Sequence, residues 1–157
     1  MTDDHVSARV QIQYTMAVYC NSVDAGDIVG VVSAFTPNAR LELSNGVPIH
    51  GQAAIQALYE PIIGVARPDR EPGGAIPLVR HNLTTSRVEF VSDNSAEGST
   101  YFITLTRHGP DHAGRYVDRF VRHGDRWLIE DRRIVVEWYA SPSWYEGVRL
   151  KAYAAKA

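Results

Sequence analysis

The segment GRYVDRFVRHGDRWLIEDRRIVVEW, residues 114–138, decides the fold class. Two runs rich in β-branched and aromatic residues, 114–122 and 126–138, flank the turn HGD, a pattern typical of a β-hairpin. Two further runs of the same character precede this hairpin, at 80–92 and 96–107, and a short turn joins them. The four runs predict an antiparallel meander of long strands.

The N-terminal part of the chain predicts a long helix at 6–25. Apolar residues recur there at steps of three and four, which places them on one helix face, and Gly26 follows as a C-cap. The residues expected on the inward face are Ile12, Met16, Tyr19, Cys20 and Val23.

Two shorter helices are expected after it. The first lies at 27–35 and the second at 51–66, where Pro61 predicts a kink or an early end of the helix. Between them we predict a turn at 36–39 and a short strand at 40–43.

Helices followed by strands are typical of an α+β domain. We predict a cone-shaped α+β barrel in which a curved antiparallel sheet wraps around three N-terminal helices and encloses a mostly apolar interior. Because no repeat, low-complexity stretch or linker is visible, residues 1–157 are interpreted as one domain.

Composition excludes several classes of function. The formal charge is -2 and the 16 Lys and Arg are scattered, so no basic face for nucleic acid is expected. The longest apolar runs are too short to span a membrane, and the acidic start lacks the apolar core of a signal peptide. The single cysteine, Cys20, permits no internal disulfide. We predict a cytoplasmic protein that does not bind a membrane.

Three local patterns, taken with this order of elements, resemble the SnoaL-like branch of the nuclear-transport-factor-2-like superfamily. They are YCNSVDAGD at 19–27, RHNLTT at 80–85 and GDRWLIEDRR at 124–133. Within that branch the chain is most similar to the scytalone dehydratase and hexachlorocyclohexane dehydrochlorinase group, over roughly residues 5–140. The superfamily contains dehydratases, isomerases, cyclases, epoxide hydrolases and proteins without catalysis, so the resemblance is more informative about the fold than about the reaction.

The resemblance implies four catalytic residues. Asp24 matches the family's helix-end aspartate and His81 its catalytic histidine. Tyr19 matches a tyrosine that precedes the aspartate in some bacterial bile-acid dehydratases. Arg132 matches an arginine that stabilises a leaving group in the dehydrochlorinase. The extra histidine and serine typical of scytalone dehydratase have no clear counterparts, which argues against that substrate.

The chemistry of the four residues fits this assignment. A neutral imidazole at His81 accepts a proton near pH 7, and Asp24 fixes its tautomer and stabilises the imidazolium. Tyr19 is able to protonate a departing group. The alternatives are that Asp24 ends a helix in solvent, that Tyr19 is a core residue and that Arg132 forms an ion pair with Glu130 or Asp118.

Three further residues are predicted to bind substrate: Asp118, Tyr116 and Trp138. Asp118 alternates with Tyr116 along one strand, although an ion pair with a nearby arginine explains it better. Trp138 has the same strand parity as Arg132, which predicts that both face the interior.

No metal or cofactor is predicted. His108 and His112 flank the turn GPD, where we expect exposed, solvated side chains, and no carboxylate or thiol arrangement completes a metal site. No phosphate loop or nucleophile elbow is present in the sequence. The predicted partners are a small hydrophobic molecule and further copies of the chain, as a homodimer or homotrimer.

The loop at 67–77 is interpreted as a lid. It is rich in turn residues, lacks an apolar period and directly precedes the strand that carries His81. Two adjacent glycines give it hinge freedom and three prolines restrict the intervening conformations. An ordinary surface loop, or one ordered by a neighbouring subunit, explains the same composition.

These observations predict a cofactor-independent lyase, of the dehydratase or dehydrohalogenase type, acting on a small apolar or cyclic molecule. An isomerase or polyketide cyclase would use the same pair of residues. A non-catalytic binding or subunit-type cone is the alternative from another class. An Asp24–His81 contact inside an open cavity would favour the enzyme, and a filled cone would favour the alternative.

Overall fold

The structure is a computed structural model, and it describes residues 3–44, 46–66 and 79–147. Up to residue 139, three helices and six strands are present in these residues. In chain order they are α1 (Asp3–Ala25), α2 (Ile28–Ser33), β1 (Phe35–Glu42), β2 (Pro48–His50), α3 (Gln52–Ala66), β3 (Val79–Ser92), β4 (Ser95–Thr106), β5 (Gly109–His123) and β6 (Arg126–Tyr139). The loop at 67–77 lies outside the described residues, so the predicted lid stays a prediction.

The six strands form one curved, unclosed sheet with the order β2-β1-β6-β5-β4-β3. Strands β3 to β6 are the predicted antiparallel meander, and β1 pairs with β6 in parallel. Helix α1 packs against this sheet through β3 and β6. The prediction of an α+β cone is therefore confirmed, with an open edge at β3 instead of a closed barrel.

Alternate residues of the sheet face the helices and form transverse rows. In one row the register places His81 beside Thr104, and Thr104 beside His112. The neighbouring row contains Leu83 and Phe102. Because directly paired residues of antiparallel strands share a face, these rows determine which side chains meet inside the cone.

The predicted inward face of α1 is buried. Its members Ile12, Met16, Tyr19, Cys20 and Val23 are each at most 7% exposed. They pack against buried residues of the sheet, and Cys20 is a free thiol inside this core.

Some of the elements predicted in the N-terminal half of the chain are wrong. The predicted turn at 36–39 belongs to β1, where a register shift between Phe35 and Arg40 leaves these residues without partners on β6. Proline and asparagine are common in turns, and here they lie in an irregular part of a strand, which explains the error. Strand β2 was not predicted, since it has three residues and begins with a proline.

The third helix was predicted at 51–66 with a kink or an early end at Pro61, and of these two the early end is wrong. Helix α3 continues through Pro61 to Ala66. No described helix is long and apolar enough to cross a membrane.

Candidate active site

Asp24 lies in the last turn of α1, where the helix ends at Gly26. The positive φ of 71° at Gly26 and the bond from its N–H to the Val23 carbonyl, 3.1 Å, end the helix at this point. The C-terminal end of a helix carries partial negative charge, which is an unfavourable environment for a carboxylate. Asp24 therefore needs a donor from elsewhere in the chain.

His81, at the start of β3, contacts this carboxylate through two groups, its ring and its backbone N–H. Its Nδ1 lies 2.6 Å from Oδ1 of Asp24, and its backbone N–H donates to the same carboxylate at 3.0 Å and 3.2 Å. Both side chains are nearly buried, with 11% of Asp24 and 9% of His81 exposed. Since Nδ1 is engaged by the carboxylate, Nε2 is the ring nitrogen available to a substrate.

A second aspartate–histidine pair lies beside the first. His112 is 4% exposed, so the expected solvated histidine is wrong at this position, although His108 is exposed. The Nδ1 of His112 lies 2.9 Å from Oδ2 of Asp111, and its Nε2 lies 3.2 Å from the hydroxyl of Thr104. The rings of His81 and His112 have their centroids 6.1 Å apart.

Burial is the main cause that lowers the pKa of His112. The charge of His81 lowers this pKa further, and the hydrogen bond to Asp111 offsets only part of the effect. His112 is therefore held as a neutral imidazole with its proton on Nδ1.

Asp111 also holds the chain segment that follows β6. Its carboxylate accepts hydrogen bonds from the hydroxyl of Ser143 at 2.9 Å and from the backbone N–H groups of Trp144 and Tyr145 at 2.7 Å and 3.2 Å. Burial raises the pKa of Asp111, but these bonds and the one from His112 outweigh burial and lower it overall. Sequence reasoning missed this pair because most of its donors are distant in the chain and two are backbone groups.

Deeper in the cone, Tyr19 shares a short hydrogen bond between hydroxyl groups with Tyr59 of α3. Burial raises the pKa of both phenols and that of Tyr116. All three phenols therefore keep their hydroxyl hydrogen near neutral pH. Tyr59 was not predicted, although it continues a buried helical face through Ile55 and Ile62 that would have indicated it.

Arg132 is fully buried between the rings of Tyr19 and Tyr116, each 4.3 Å from its guanidinium carbon. Asp118 binds it through two hydrogen bonds, 2.7 Å from Nε and 2.8 Å from Nη2, and thus raises its pKa against the opposing effect of burial. This contact is the ion pair that was given above as the alternative to substrate binding by Asp118. The remaining nitrogen, Nη1, is buried without a hydrogen-bond partner in the described part of the chain.

The strand parity predicted for Trp138 is wrong. Gly114 pairs with Val136, but Ala113 pairs with Trp138, so Glu137 is an extra residue and Trp138 turns to the outer face. Trp138 is 49% exposed there.

This bulge depends on the glycine. An added Cβ at Gly114 would lie 2.0 Å from the carbonyl oxygen of Val135, closer than any side chain permits.

A hollow on the protein surface borders this site only at Asp118. This hollow of about 520 Å³ on the outer face of the sheet is bordered by charged residues such as Arg40, Glu97 and Arg133, and by neither member of the Asp24–His81 pair. Among the described residues, no group of three or more His, Cys, Asp or Glu side chains is arranged to hold a metal ion.

Comparison with known proteins gives a family. The model of the SnoaL-like domain matches residues 4–133. A comparison with curated proteins gave no match.

Several solved structures share the fold. A hexachlorocyclohexane dehydrochlorinase, LinA-type3 from Novosphingobium barchaimii LL02, is 18% identical with a TM-score of 0.71, covering 87% of this chain and 91% of its own. A variant of Rv3472 from Mycobacterium tuberculosis, a protein of unknown function, is 22% identical with a TM-score of 0.78, covering 96% and 90%. ActVI-ORFA from Streptomyces coelicolor is 19% identical with a TM-score of 0.67, covering 82% and 96%. At these identities the likeness establishes the fold alone.

Proposed function

The chain belongs to the SnoaL-like domain family, and we propose that it is a cofactor-independent lyase acting on a small, largely apolar or cyclic molecule. The observation that carries this proposal is the 2.6 Å contact between His81 Nδ1 and the Asp24 carboxylate. It orients the imidazole and leaves Nε2 as the proposed base. The structurally similar dehydrochlorinase supports elimination as the type of reaction.

In the proposed reaction, Nε2 of His81 takes a proton from a carbon of the substrate. The electron pair of that C–H bond forms a new double bond, and the group on the adjacent carbon leaves with its own electron pair. Asp24 stabilises the imidazolium, because its carboxylate is already bound to Nδ1. Water, hydroxide or a halide is the expected leaving group.

Tyr19 is the proposed donor to a departing oxygen. Its hydroxyl shares one hydrogen with that of Tyr59, so the pair retains one hydroxyl hydrogen that is not used between them. The raised pKa of both phenols keeps this hydrogen in place near neutral pH.

The proposed role of Arg132 is narrower than the family resemblance implies. The carboxylate of Asp118 balances its charge, so the pair attracts a distant anion weakly. Its Nη1 hydrogens, which lack a partner among the described residues, would stabilise a leaving group that reaches the interior.

The test is an elimination assay with a panel that includes hexachlorocyclohexane, scytalone and cyclic β-hydroxy ketones. Mass spectrometry would detect loss of hydrogen halide or water. We expect the wild-type protein to convert at least one member, Asp24→Asn to lose that activity, and Asp131→Asn, a half-buried aspartate of β6 that pairs with Arg40, to retain it. Elimination that survives in Asp24→Asn would overturn the proposal.

An isomerase or cyclase built on the same pair predicts a product with the mass of the substrate. A non-catalytic binding domain is supported by a different observation, the close packing of Tyr19, Tyr116 and Arg132 inside the cone. In that case the panel would bind without conversion, and Asp24→Asn would leave binding unchanged.

A further inference from the structure

A crevice of about 250 Å³ opens between α1 and β3, away from the Asp24–His81 pair. Four of its nine lining residues, Ile12, Met16, Leu83 and Val88, are apolar. At the ~30 Å³ that a water molecule occupies in the liquid, this space equals roughly eight waters. It therefore suits a small molecule with an apolar body.

Arg9 is the only charged residue of the crevice wall. The guanidinium carbon of Arg9 lies 5.2 Å from the centre of the Phe90 ring, and His5, one turn earlier in α1, stacks on the same ring at 4.2 Å. These contacts hold the guanidinium group in place. Its Nε is nevertheless buried without a hydrogen-bond partner among the described residues. Arg9 as a whole is half-buried, but a buried N–H of a charged group that lacks an acceptor is costly, and an anionic ligand would satisfy it.

The other polar residues of the wall are Gln13, Thr84, Ser86 and Thr100, and two of them form a hydroxyl pair. Ser86 and Thr100 lie opposite each other in the β3–β4 register, and their hydroxyl oxygens are 2.8 Å apart. Since one hydroxyl donates to the other, the pair keeps one hydrogen for a further acceptor.

We propose that this crevice binds a small monocarboxylic acid with an apolar chain or ring. The carboxylate pairs with Arg9, and the apolar body lies along Ile12, Leu83 and Val88. The charge of the wall selects an acid over a neutral molecule of the same shape, because no acidic side chain borders the crevice. This site is separate from the proposed elimination reaction, and neither depends on the other.

The test uses octanoate and octan-1-ol as probes of matched length. Calorimetric titration gives the affinities, and amide chemical-shift changes in a ¹⁵N-labelled sample locate the site. We expect octanoate to shift residues 83–88 and to bind Arg9→Gln about ten- to a hundredfold more weakly than wild type, which is the usual effect of losing a charge-assisted hydrogen bond. Octan-1-ol should bind both proteins equally.

Arg87→Gln is the matched control. Arg87 lies on β3, the strand that forms one side of the crevice, but 76% of its side chain is exposed. It forms an ion pair with Glu89. This variant should bind octanoate as wild type does. The proposal is overturned if octanoate fails to bind, if it shifts only residues around His81 and Tyr19, or if Arg9→Gln keeps wild-type affinity.

Discussion

The two aspartate–histidine pairs contain the same chemical groups but differ in what surrounds them. In both, a carboxylate oxygen binds Nδ1 of the ring, at 2.6 Å for Asp24–His81 and 2.9 Å for Asp111–His112. In the described part of the chain, the carboxylate of Asp24 accepts hydrogen bonds from His81 alone. The carboxylate of Asp111 accepts three more from the segment after β6.

This difference separates a pair suited to chemistry from one suited to structure. A carboxylate whose charge is shared among many donors stabilises an adjacent imidazolium less than one that has a single partner residue. The Nε2 of His112 is also engaged by Thr104, whereas the Nε2 of His81 is the proposed base. Residue type and pairing distance alone would not distinguish them.

The largest contrast is expected in catalysis. His81→Gln removes the proposed base and should lower kcat by about a thousandfold or more, while the melting temperature changes little. His112→Gln should retain most of the activity of the molecules that remain folded. Steady-state kinetics with the substrate that the wild-type protein converts would check these two effects. Circular dichroism would measure the folded fraction of each variant. Equal losses in both variants would remove the distinction between the pairs.

The second contrast concerns the free energy of unfolding. Asp111→Ala leaves the His112 ring, the Ser143 hydroxyl and the Trp144 N–H without this acceptor, while the Tyr145 N–H keeps Ser143 Oγ at 3.0 Å, and should destabilise the fold by about 2–4 kcal/mol. Asp24→Ala removes an acceptor that only His81 uses in the described part of the chain, so it should lower the free energy of unfolding by less. Urea unfolding of the two variants would measure the difference. A larger loss in Asp24→Ala would show that its pair is the structural one.

The sequence predicted those parts of the molecule in which local pattern determines structure. The meander and the buried face of α1 follow from periodicity, and the contact between Asp24 and His81 follows from two family motifs. Trp138 was misplaced because one bulge reverses the parity of every residue beyond it. Strand periodicity contains no signal for such an extra residue.

The Asp111–His112 pair was not predicted from the sequence for a different reason. Asp111 binds backbone groups of the segment after β6, and a backbone N–H has no signature in the amino-acid sequence. The turn composition around His108 and Pro110 then favoured exposure, whereas the segment after β6 packs over His112 through Trp144 and Tyr145.

A third contrast is expected in the pH dependence of stability. The folded protein holds the pKa of His112 below its ordinary 6.5, so the unfolded chain binds this proton more readily. Stability from this source is complete above the unfolded value of about 6.5 and is lost as the pH falls toward the folded pKa. The lowered pKa of Asp111 acts at lower pH, because its stabilisation is present above the ordinary 3.8 and is lost below that.

Urea unfolding at intervals from pH 7.5 to pH 5 would measure this dependence. Wild type should lose stability over that range more steeply than His112→Gln, which lacks the titrating ring. His123→Gln, a change to an exposed histidine at the far end of β5, should keep the wild-type slope. A steeper or unchanged slope in His112→Gln would contradict the assignment of a buried neutral ring.

The smallest expected effect is the electrostatic coupling between the two rings. With their centroids 6.1 Å apart, a proton on His81 opposes one on His112, and this is one cause of the lowered pKa of His112. His81→Gln removes that charge, so the pKa of His112 should rise, although it should stay below the ordinary value because burial is the larger cause. Titration of the His112 ring C–H signals by NMR would measure the shift, again with His123→Gln as the control. A His112 titration that is the same in wild type and His81→Gln would mean that the charge of His81 does not reach the second ring, and burial would then be the cause of the lowered pKa of His112.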